Sequence, residues 1–298
     1  MIVEAHQLTK RYGAKVALDH VDLQVPVGSI YGLVGENGAG KTTLLRCILG
    51  LQQPTSGTLR VLGRTLSRRV QPDYCKVAGI VEDPALYDNL TAIENLKLYR
   101  FGEKSESSSV DLLNVVGLRD VANTVVGKFS QGMKQRLNLA ISLIKSPELI
   151  ILDEPTNGLD PTGIRELREV IEKIPREIGS TVIISSHILN ELSRVASHVA
   201  ILSRSKLLFQ GPLEAIGKDF AILKTRRKES IKQLLIRYPE KVLVADEIDG
   251  NFYIVLPKSL RERVLNCSND DYGFELVCHT ESNLEHFYFA LTSRGNHL

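Results

Sequence analysis

The sequence predicts an α/β fold over its first 217 residues, followed by a smaller α+β unit. Residues 29–34 form a short apolar run, which leads into a glycine-rich loop and then into an unbroken helical stretch at 42–49. Two further apolar runs, at 149–152 and 181–184, are rich in β-branched residues and end in polar ones. Such runs, separated by helical segments, are typical of buried parallel strands.

The glycine-rich loop matches the pattern of Gly, four residues, Gly-Lys, and then Ser or Thr. Its residues are Gly35, Glu36, Asn37, Gly38, Ala39, Gly40, Lys41, Thr42 and Thr43. Glycine allows positive φ angles, and the N–H groups at the start of the following helix attract anions. We therefore expect a phosphate-binding loop in which Lys41 contacts the outer phosphates and the Thr42 hydroxyl ligates Mg²⁺.

The segments before and after this loop differ in their sequence patterns. Residues 2–7 and 17–25 alternate between apolar and polar side chains, which predicts antiparallel strands. Tyr12 lies between them in an expected loop, where it is either an ordinary surface aromatic or a platform for a nucleotide base. Residues 86–146 are mainly helical, so the α/β region contains a helical insertion.

Three polar residues at strand ends are candidates for chemistry. Asp153 ends the run at 149–152, at the carboxyl edge where open α/β sheets bind ligands, and suits Mg²⁺. Glu154 is expected on the opposite side of that strand, as the general base that polarises an attacking water. His187 ends the run at 181–186 and is either close to the γ-phosphate or a hydrogen-bonded histidine at the rim of the site.

The last part of the chain, residues 218–298, predicts a separate small domain. Its pattern reads β-α-β-β-α-β with a trailing helix, which fits a ferredoxin-like arrangement. Residues 249–251 (Asp-Gly-Asn) mark the central hairpin. The basic residues 224–228 predict a solvated linker, with an RNA or lipid contact as the less favoured alternative.

Composition restricts the class of protein. The chain has 298 residues and a formal net charge of +2, so no general basicity points to nucleic acid. Its four cysteines are widely spaced without a Cys-x-x-Cys pair, which predicts reduced thiols in the cytosol. The N-terminus lacks a signal-peptide pattern, and no apolar run approaches the length of a membrane helix. Any role at a membrane is therefore expected to need another chain.

Over residues 2–212 the sequence resembles the ATP-binding subunit of an ATP-binding cassette (ABC) transporter. Ser130, Gln131, Gly132 and Met133 lie where that family carries its Leu-Ser-Gly-Gly-Gln signature. Residues 157–160, ending in Asp160, resemble the family's D-loop. His187 resembles its switch histidine, and Tyr12 resembles the aromatic residue on which adenine stacks.

This resemblance implies a P-loop NTPase cassette with a mixed central sheet, an antiparallel β subdomain and a helical subdomain at about 86–146. It implies ATP and Mg²⁺ as cofactors, with Glu154 and His187 catalytic. Two such domains pair head to tail, either with a second copy or with a homologous subunit. Each ATP then lies between one phosphate loop and the partner's signature. Hydrolysis drives membrane-spanning permease subunits on separate chains, and the protein is peripheral on the cytoplasmic face of the membrane.

Two departures from the family pattern qualify this picture. The family usually has Gln after the strand at 76–81, where it contacts Mg²⁺, but this chain has Glu82. Glu82 still offers a metal-binding oxygen, although it adds negative charge beside Asp153 and Glu154. In the signature, Gln131 and Met133 replace Gly and Gln, so a glycine-only conformation at 131 is in doubt. Glu82 and residues 283–287 resemble the bacitracin- and lantibiotic-exporter branch.

Two other functions remain open on the sequence alone. A cassette ATPase that acts on ribosomes or DNA is disfavoured, because no heptad array separates Lys41 from Ser130. A module that binds ATP but hydrolyses it poorly is compatible with Glu82 and the altered signature. For residues 218–298, a regulatory role, a role in dimerisation and a purely structural role are all possible.

Overall fold

The computed structural model describes residues 1–81, 86–100, 108–238, 242–248, 250–266, 273–277 and 283–292. Glu82, a predicted metal ligand, lies outside these residues. The first 81 residues form six strands and one helix. They are β1 (Val3–Tyr12), β2 (Lys15–Val25), β3 (Ile30–Val34), α1 (Lys41–Ile48), β4 (Ser56–Val61), β5 (Arg64–Thr65) and β6 (Val77–Ile80).

The predicted helical insertion follows. Its α-helices are α2 (Ala92–Tyr99), α3 (Ser109–Val115) and α4 (Gln131–Ser142). At the start of α2, the Thr91 hydroxyl accepts a hydrogen bond from Glu94 N, and the Glu94 carboxylate accepts one from Thr91 N. This capping box satisfies two backbone donors that the first turn leaves unpaired.

The chain then alternates between strands and helices before it enters the C-terminal unit. The first group is β7 (Leu149–Asp153), α5 (Pro161–Lys173), β8 (Thr181–Ser186), α6 (Leu189–Val195), β9 (His198–Ser203), β10 (Lys206–Pro212) and α7 (Leu213–Asp219). The second is β11 (Phe220–Thr225), α8 (Lys228–Arg237), β12 (Leu243–Ile248), β13 (Asn251–Pro257), α9 (Lys258–Asn266), β14 (Glu275–Leu276) and α10 (Asn283–Thr292). The C-terminal unit thus has the order β-α-β-β-α-β followed by a helix.

The strands form three sheets. The first has the order β2-β1-β4-β5 and is antiparallel. The second has the order β10-β9-β3-β8-β7-β6, in which all neighbours are parallel except β10 and β9. The third has the order β12-β13-β11-β14, with antiparallel neighbours. A mixed central sheet and an antiparallel β subdomain were both predicted and are observed.

The basic residues 224–228 do not form the predicted linker. Lys224 is in β11, and Lys228 is the first residue of α8. Lys224 forms an ion pair with Glu275 across β14, with 2.9 Å between Nζ and Oε2. Only residues 226 and 227 connect β11 to α8, so most of the basic run belongs to a strand and a helix, in agreement with the possible strand at residues 221–226.

Apolar side chains cover both faces of the central sheet. In β7, Ile150 and Leu152 belong to one apolar cluster, whereas Leu149 and Ile151 belong to the cluster on the opposite face. A strand with a core on each side is apolar at every position, which explains the continuous run in the sequence. Burial of each such side chain stabilises the fold by about 1.5–3 kcal/mol. Among the residues that the structure describes, no helix combines the length and apolarity needed to cross a membrane.

Candidate functional site

Three strands of the central sheet end side by side at one edge. β3 and β8 run parallel and pair Val34 with Ser186, while β7 and β8 pair Asp153 with Ser185. Because parallel strands end on the same side, the residues that follow them converge there. The glycine-rich loop, the acidic pair and His187 therefore meet, as predicted from their positions after apolar runs.

The glycine-rich loop ends in a helix start that its own side chains leave uncapped. α1 begins at Lys41, and its N-cap residue Gly40 has a φ of 111° and no side-chain cap hydrogen bond. A Cβ at Gly40 would collide with the carbonyl oxygen of Ala17, so only glycine fits there. Within the loop, Ala39 N donates to Glu36 O at 3.1 Å. The first N–H groups of α1 and its positive dipole end are thus available to an anion.

Lys41 and Glu154 form a half-buried ion pair at this edge. Lys41 is 5% exposed; its Nζ donates to Gly35 O at 2.6 Å and lies 3.0 Å from Glu154 Oε1. His187 Nδ1 lies 2.5 Å from the other carboxylate oxygen of Glu154. Burial acts to raise the pKa of Glu154, but hydrogen bonds and charge from His187 and Lys41 outweigh it and lower that pKa. Glu154 is therefore ionised at neutral pH and can accept a hydrogen bond from water.

The backbone at Glu154 is left-handed, with a φ of 50°. Its N–H donates to Ser185 Oγ at 2.8 Å, which holds this uncommon conformation. Glu154 and Asp153 line one cavity, and their carboxylates contact the consecutive residues Lys41 and Thr42. The expectation that the two acids point to opposite sides is therefore wrong, because β7 ends at Asp153 and strand alternation stops there.

Asp153 is held by two hydroxyl groups. Thr42 Oγ1 donates to Asp153 Oδ2 at 2.7 Å, and Ser185 Oγ donates to Asp153 Oδ1 at 2.5 Å. A threonine hydroxyl and a carboxylate in contact are the hard oxygen ligands that Mg²⁺ takes beside substrate phosphates. Ser185 was missed in the sequence, although the pair of serines that ends the apolar run of β8 was a usable signal.

A cavity of about 470 Å³ lies over the glycine-rich loop. Tyr12 borders it, 44% exposed, at the end of β1 rather than in the expected loop, and its hydroxyl is hydrogen-bonded to Gln52. Of the predicted loop residues, Gly35 and Ala39 do not line the cavity. The other loop residues do line it: Glu36, Asn37, Gly38, Gly40, Lys41, Thr42 and Thr43. Asn157, the first residue of the predicted segment 157–160, also lines the cavity, as does Lys15, which was not predicted from the sequence.

The predicted signature residues start α4 and do not line this cavity. Ser130 is the N-cap, and its Oγ accepts a hydrogen bond from Met133 N at 3.2 Å. Gln131 is the first helical residue, so it needs no glycine-only conformation. Gly132 lies against α5, since a Cβ there would be 3.2 Å from the Cα of Gly163. Ser130, Gly132 and Met133 do not line the cavity over the phosphate loop.

Asp160 likewise caps a helix instead of bordering the loop cavity. Its Oδ1 accepts a hydrogen bond from Gly163 N at 3.1 Å, at the start of α5. Gln131 borders a separate cavity of about 370 Å³ together with Asp153 and Glu154. Within one chain, the structure brings the loop, the acids and His187 together, whereas Ser130, Gly132 and Asp160 do not line the cavity over the loop.

Comparison with known proteins gives consistent matches. A family model described as "ABC transporter" matches residues 18–157. The bacitracin transport ATP-binding protein of Bacillus licheniformis is 44% identical over 219 residues, which are 73% of this chain and 72% of that protein. The lantibiotic transport ATP-binding protein of Streptococcus pyogenes is 46% identical over 210 residues, covering 70% of this chain and 90% of that protein.

Solved structures share the fold. One is a dimeric ATP-binding cassette in a post-hydrolysis state, bound to ADP and Pi. It is 24% identical to this chain, with a TM-score of 0.60, and the match covers 70% of this chain and 98% of that one. The central sheet, its helices and the antiparallel subdomain described above are thus those of a nucleotide-binding cassette.

Proposed function

This chain belongs to the ATP-binding subunits of ABC transporters, a family of ATPases, and we propose that it hydrolyses Mg-ATP to power export through separate membrane subunits. The compound exported is a peptide antibiotic or another hydrophobic compound. The relatives named for bacitracin and lantibiotic transport support this substrate class, at 44% and 46% identity.

The proposal is carried by one observation, the chain of contacts from Lys41 through Glu154 to His187 at the edge of the central sheet. In the proposed reaction, the N–H groups of α1 and Lys41 bind the phosphates. Glu154 orients the attacking water as general base, and His187 holds the Glu154 carboxylate in place. A bound Mg²⁺, held by Thr42 and Asp153, supplies charge neutralisation for the phosphates.

The signature segment completes the site of a second protomer in this proposal. Ser130 and Gly132 start α4 and do not line the cavity over their own phosphate loop, which supports a role toward a nucleotide on another chain. The N–H groups at a helix start suit the γ-phosphate. Asp160 and Gln131 take part in the same head-to-tail contact, and Tyr12 stacks on the adenine. The dimeric cassette of the same fold supports this arrangement.

The remaining assignments follow the same proposal. Residues 1–217 form the ATPase domain and residues 218–298 an accessory domain, with the third sheet wholly in the latter. The permease subunits place the protein on the inner face of the cell membrane. Co-purification from membranes tests this location, because a permease of about six spans is expected to remain bound. Recovery of the chain with ribosomes instead would support the alternative of a non-transport ATPase.

The test of the catalytic assignment is Glu154→Gln. We expect phosphate release to fall by about 10²–10⁴-fold, because the amide cannot accept a proton. ATP is still bound, so the variant is expected to accumulate as an ATP-bound dimer in light scattering. Glu148→Gln is the matched control, since Glu148 precedes the same strand at its other end and pairs with Lys76 on the surface.

Two results would contradict the proposal. Equal turnover in Glu154→Gln and in the unmodified chain would remove Glu154 from catalysis. A monomeric Glu154→Gln variant at saturating Mg-ATP, with its membrane subunits present, would contradict the head-to-tail dimer.

Normal ATP affinity with negligible turnover in the unmodified chain would favour the alternative of a module that only binds ATP. In that case Glu82→Gln would be expected to raise the rate of hydrolysis.

A further inference from the structure

A cavity of about 1030 Å³ lies between the central sheet and the third sheet. Residues of α6, β9, β10 and α7 line one side of it, and residues of β11, α9, β14 and α10 line the other. None of the described residues that line it also lines the cavity over the phosphate loop. The volume is sufficient for a small organic molecule, since pockets of about 300–1,000 Å³ usually hold one.

The most buried residues that line this cavity are apolar. Ile216 of α7, Ile222 of β11 and Leu284 of α10 are 1%, 3% and 1% exposed. All three belong to one apolar cluster, which extends from the central sheet to the third sheet. This part of the cavity therefore suits a hydrocarbon group and not a hydrated inorganic ion.

Cationic side chains also line the cavity, namely Lys218 of α7 and Lys258 and Arg261 of α9. Lys258 and Arg261 are three residues apart, so they share one face of α9. None of these three side chains forms a hydrogen bond or an ion pair with another residue that the structure describes. Glu214 is the one carboxylate among the described lining residues, so positive charge exceeds negative charge at this cavity.

Arg261 is the cation that lies deepest. Its side chain is half-buried, whereas Lys218 and Lys258 are exposed. The Nε atom of Arg261 is buried and has no hydrogen-bond partner among the described residues. Native proteins rarely leave a buried donor unpaired, because its lost hydration is costly. A guanidinium can bind a carboxylate or a phosphate through two parallel N–H bonds, so Arg261 beside an apolar wall suits an anionic head group.

We propose that this cavity binds a small organic anion, with a carboxylate or phosphate head on an apolar body, from free solution. Arg261 binds the head, Lys218 and Lys258 add positive charge at the opening, and the buried apolar residues contact the body. The site is separate from the nucleotide site and does not depend on the proposed ATPase function. It gives residues 218–298 a role in sensing such an anion, because a ligand that contacts both sides of the cavity stabilises their packing.

The experiment uses decanoate and decylammonium, which have equal apolar chains and opposite charges. Isothermal titration calorimetry on the full chain should detect binding of decanoate. Decylammonium should bind at least about 10-fold more weakly, because its ammonium group would meet the unpaired cations. This comparison separates recognition of the anionic head from burial of the chain alone.

Variants in α9 then locate the site. Arg261→Gln should weaken decanoate binding by about 10- to 100-fold, because it removes charge-assisted hydrogen bonds. Lys258→Gln should weaken it by only about 2- to 5-fold, because an exposed pair is screened by solvent. Arg263→Gln is the matched control: it removes one charge from the same helix, but Arg263 lines a different pocket and should leave the affinity unchanged.

Thermal unfolding without ligand verifies that each variant is folded. If Arg261→Gln fails to fold, Lys258→Gln and the comparison of the two ligands still decide. Equal affinity for decanoate and decylammonium, or equal affinity of the Arg261→Gln and Arg263→Gln variants for decanoate, would overturn the inference. Binding to phosphatidylglycerol vesicles without binding of free decanoate would also overturn it, because the cations would then serve a membrane surface. ATP hydrolysis by the unmodified chain without decanoate tests the proposed function separately.

Discussion

Two helix starts in this molecule, those of α1 and α4, are opposites in construction. At α1 the N-cap is Gly40, without a side-chain hydrogen bond, and the first residue, Lys41, is buried and ion-paired. At α4 the N-cap Ser130 already caps the helix with its own hydroxyl, and Gln131 is exposed. The start of α1 is an anion-binding site built within one chain. The start of α4 has the N–H donors of such a site, but not the surrounding groups that would complete it. This difference fits the proposal that α4 completes a nucleotide site on another chain.

The largest effect is expected from Lys41→Ala. This change removes a buried charge that contacts Gly35 and Glu154, and charged hydrogen bonds contribute about 1.5–3 kcal/mol. ATP affinity should therefore fall by about 10- to 100-fold, with hydrolysis abolished. Lys134→Ala in the first turns of α4 is the control, because Lys134 forms only a surface pair with Asp88. Equal ATP affinity of the two variants in equilibrium binding would contradict the claim that the start of α1, unlike that of α4, binds ATP within one chain.

A second variant, Ser130→Asp, sharpens the comparison from the other side. Aspartate caps helices about as well as serine, so the unfolding temperature should stay nearly the same. Its carboxylate would repel a γ-phosphate of the partner, and like charges in contact cost several kcal/mol. We expect hydrolysis to fall by more than about 100-fold while ATP binding to the single chain is unchanged. Weaker ATP binding by the monomeric variant would contradict the assignment of Ser130 to the nucleotide site of the partner chain.

Mixing the two inactive variants tests the shared site directly. In a head-to-tail dimer of Lys41→Ala with Ser130→Asp, one site has both defects and the other has neither. An equimolar mixture should therefore regain about a quarter of the unmodified sites. No recovery after verified subunit exchange would show that the loop and the signature act within one chain.

The same contrast explains what the sequence could and could not reveal. The glycine-rich loop, Asp153 and His187 were predictable because each follows an apolar strand, and such strands end at one edge. The left-handed backbone at Glu154 and the bridging hydroxyl of Ser185 were not, because both depend on the neighbouring strand.

The smallest effect is expected where α4 and α5 touch. A Cβ at Gly163 would lie 2.9 Å from Asp160 Oδ1 and 3.6 Å from the Cα of Gly132. Gly163→Ala should therefore displace the Asp160 carboxylate that caps α5, while the distance to Gly132 is an ordinary van der Waals contact. Overpacking of this kind costs about 1–3 kcal/mol, partly offset by the roughly 1 kcal/mol that alanine gains over glycine in a helix.

Denaturant unfolding of Gly163→Ala measures this cost, with Glu169→Ala on the exposed face of α5 as the control. If the two helix starts act as one unit toward the partner, dimer hydrolysis should also fall by a few fold while ATP binding to the monomer stays unchanged. A stability loss with unchanged hydrolysis would mean that α4 and α5 approach the partner independently. In that case Asp160 would be only a helix cap, and the second half of the nucleotide site would reduce to Ser130 and its neighbours in α4.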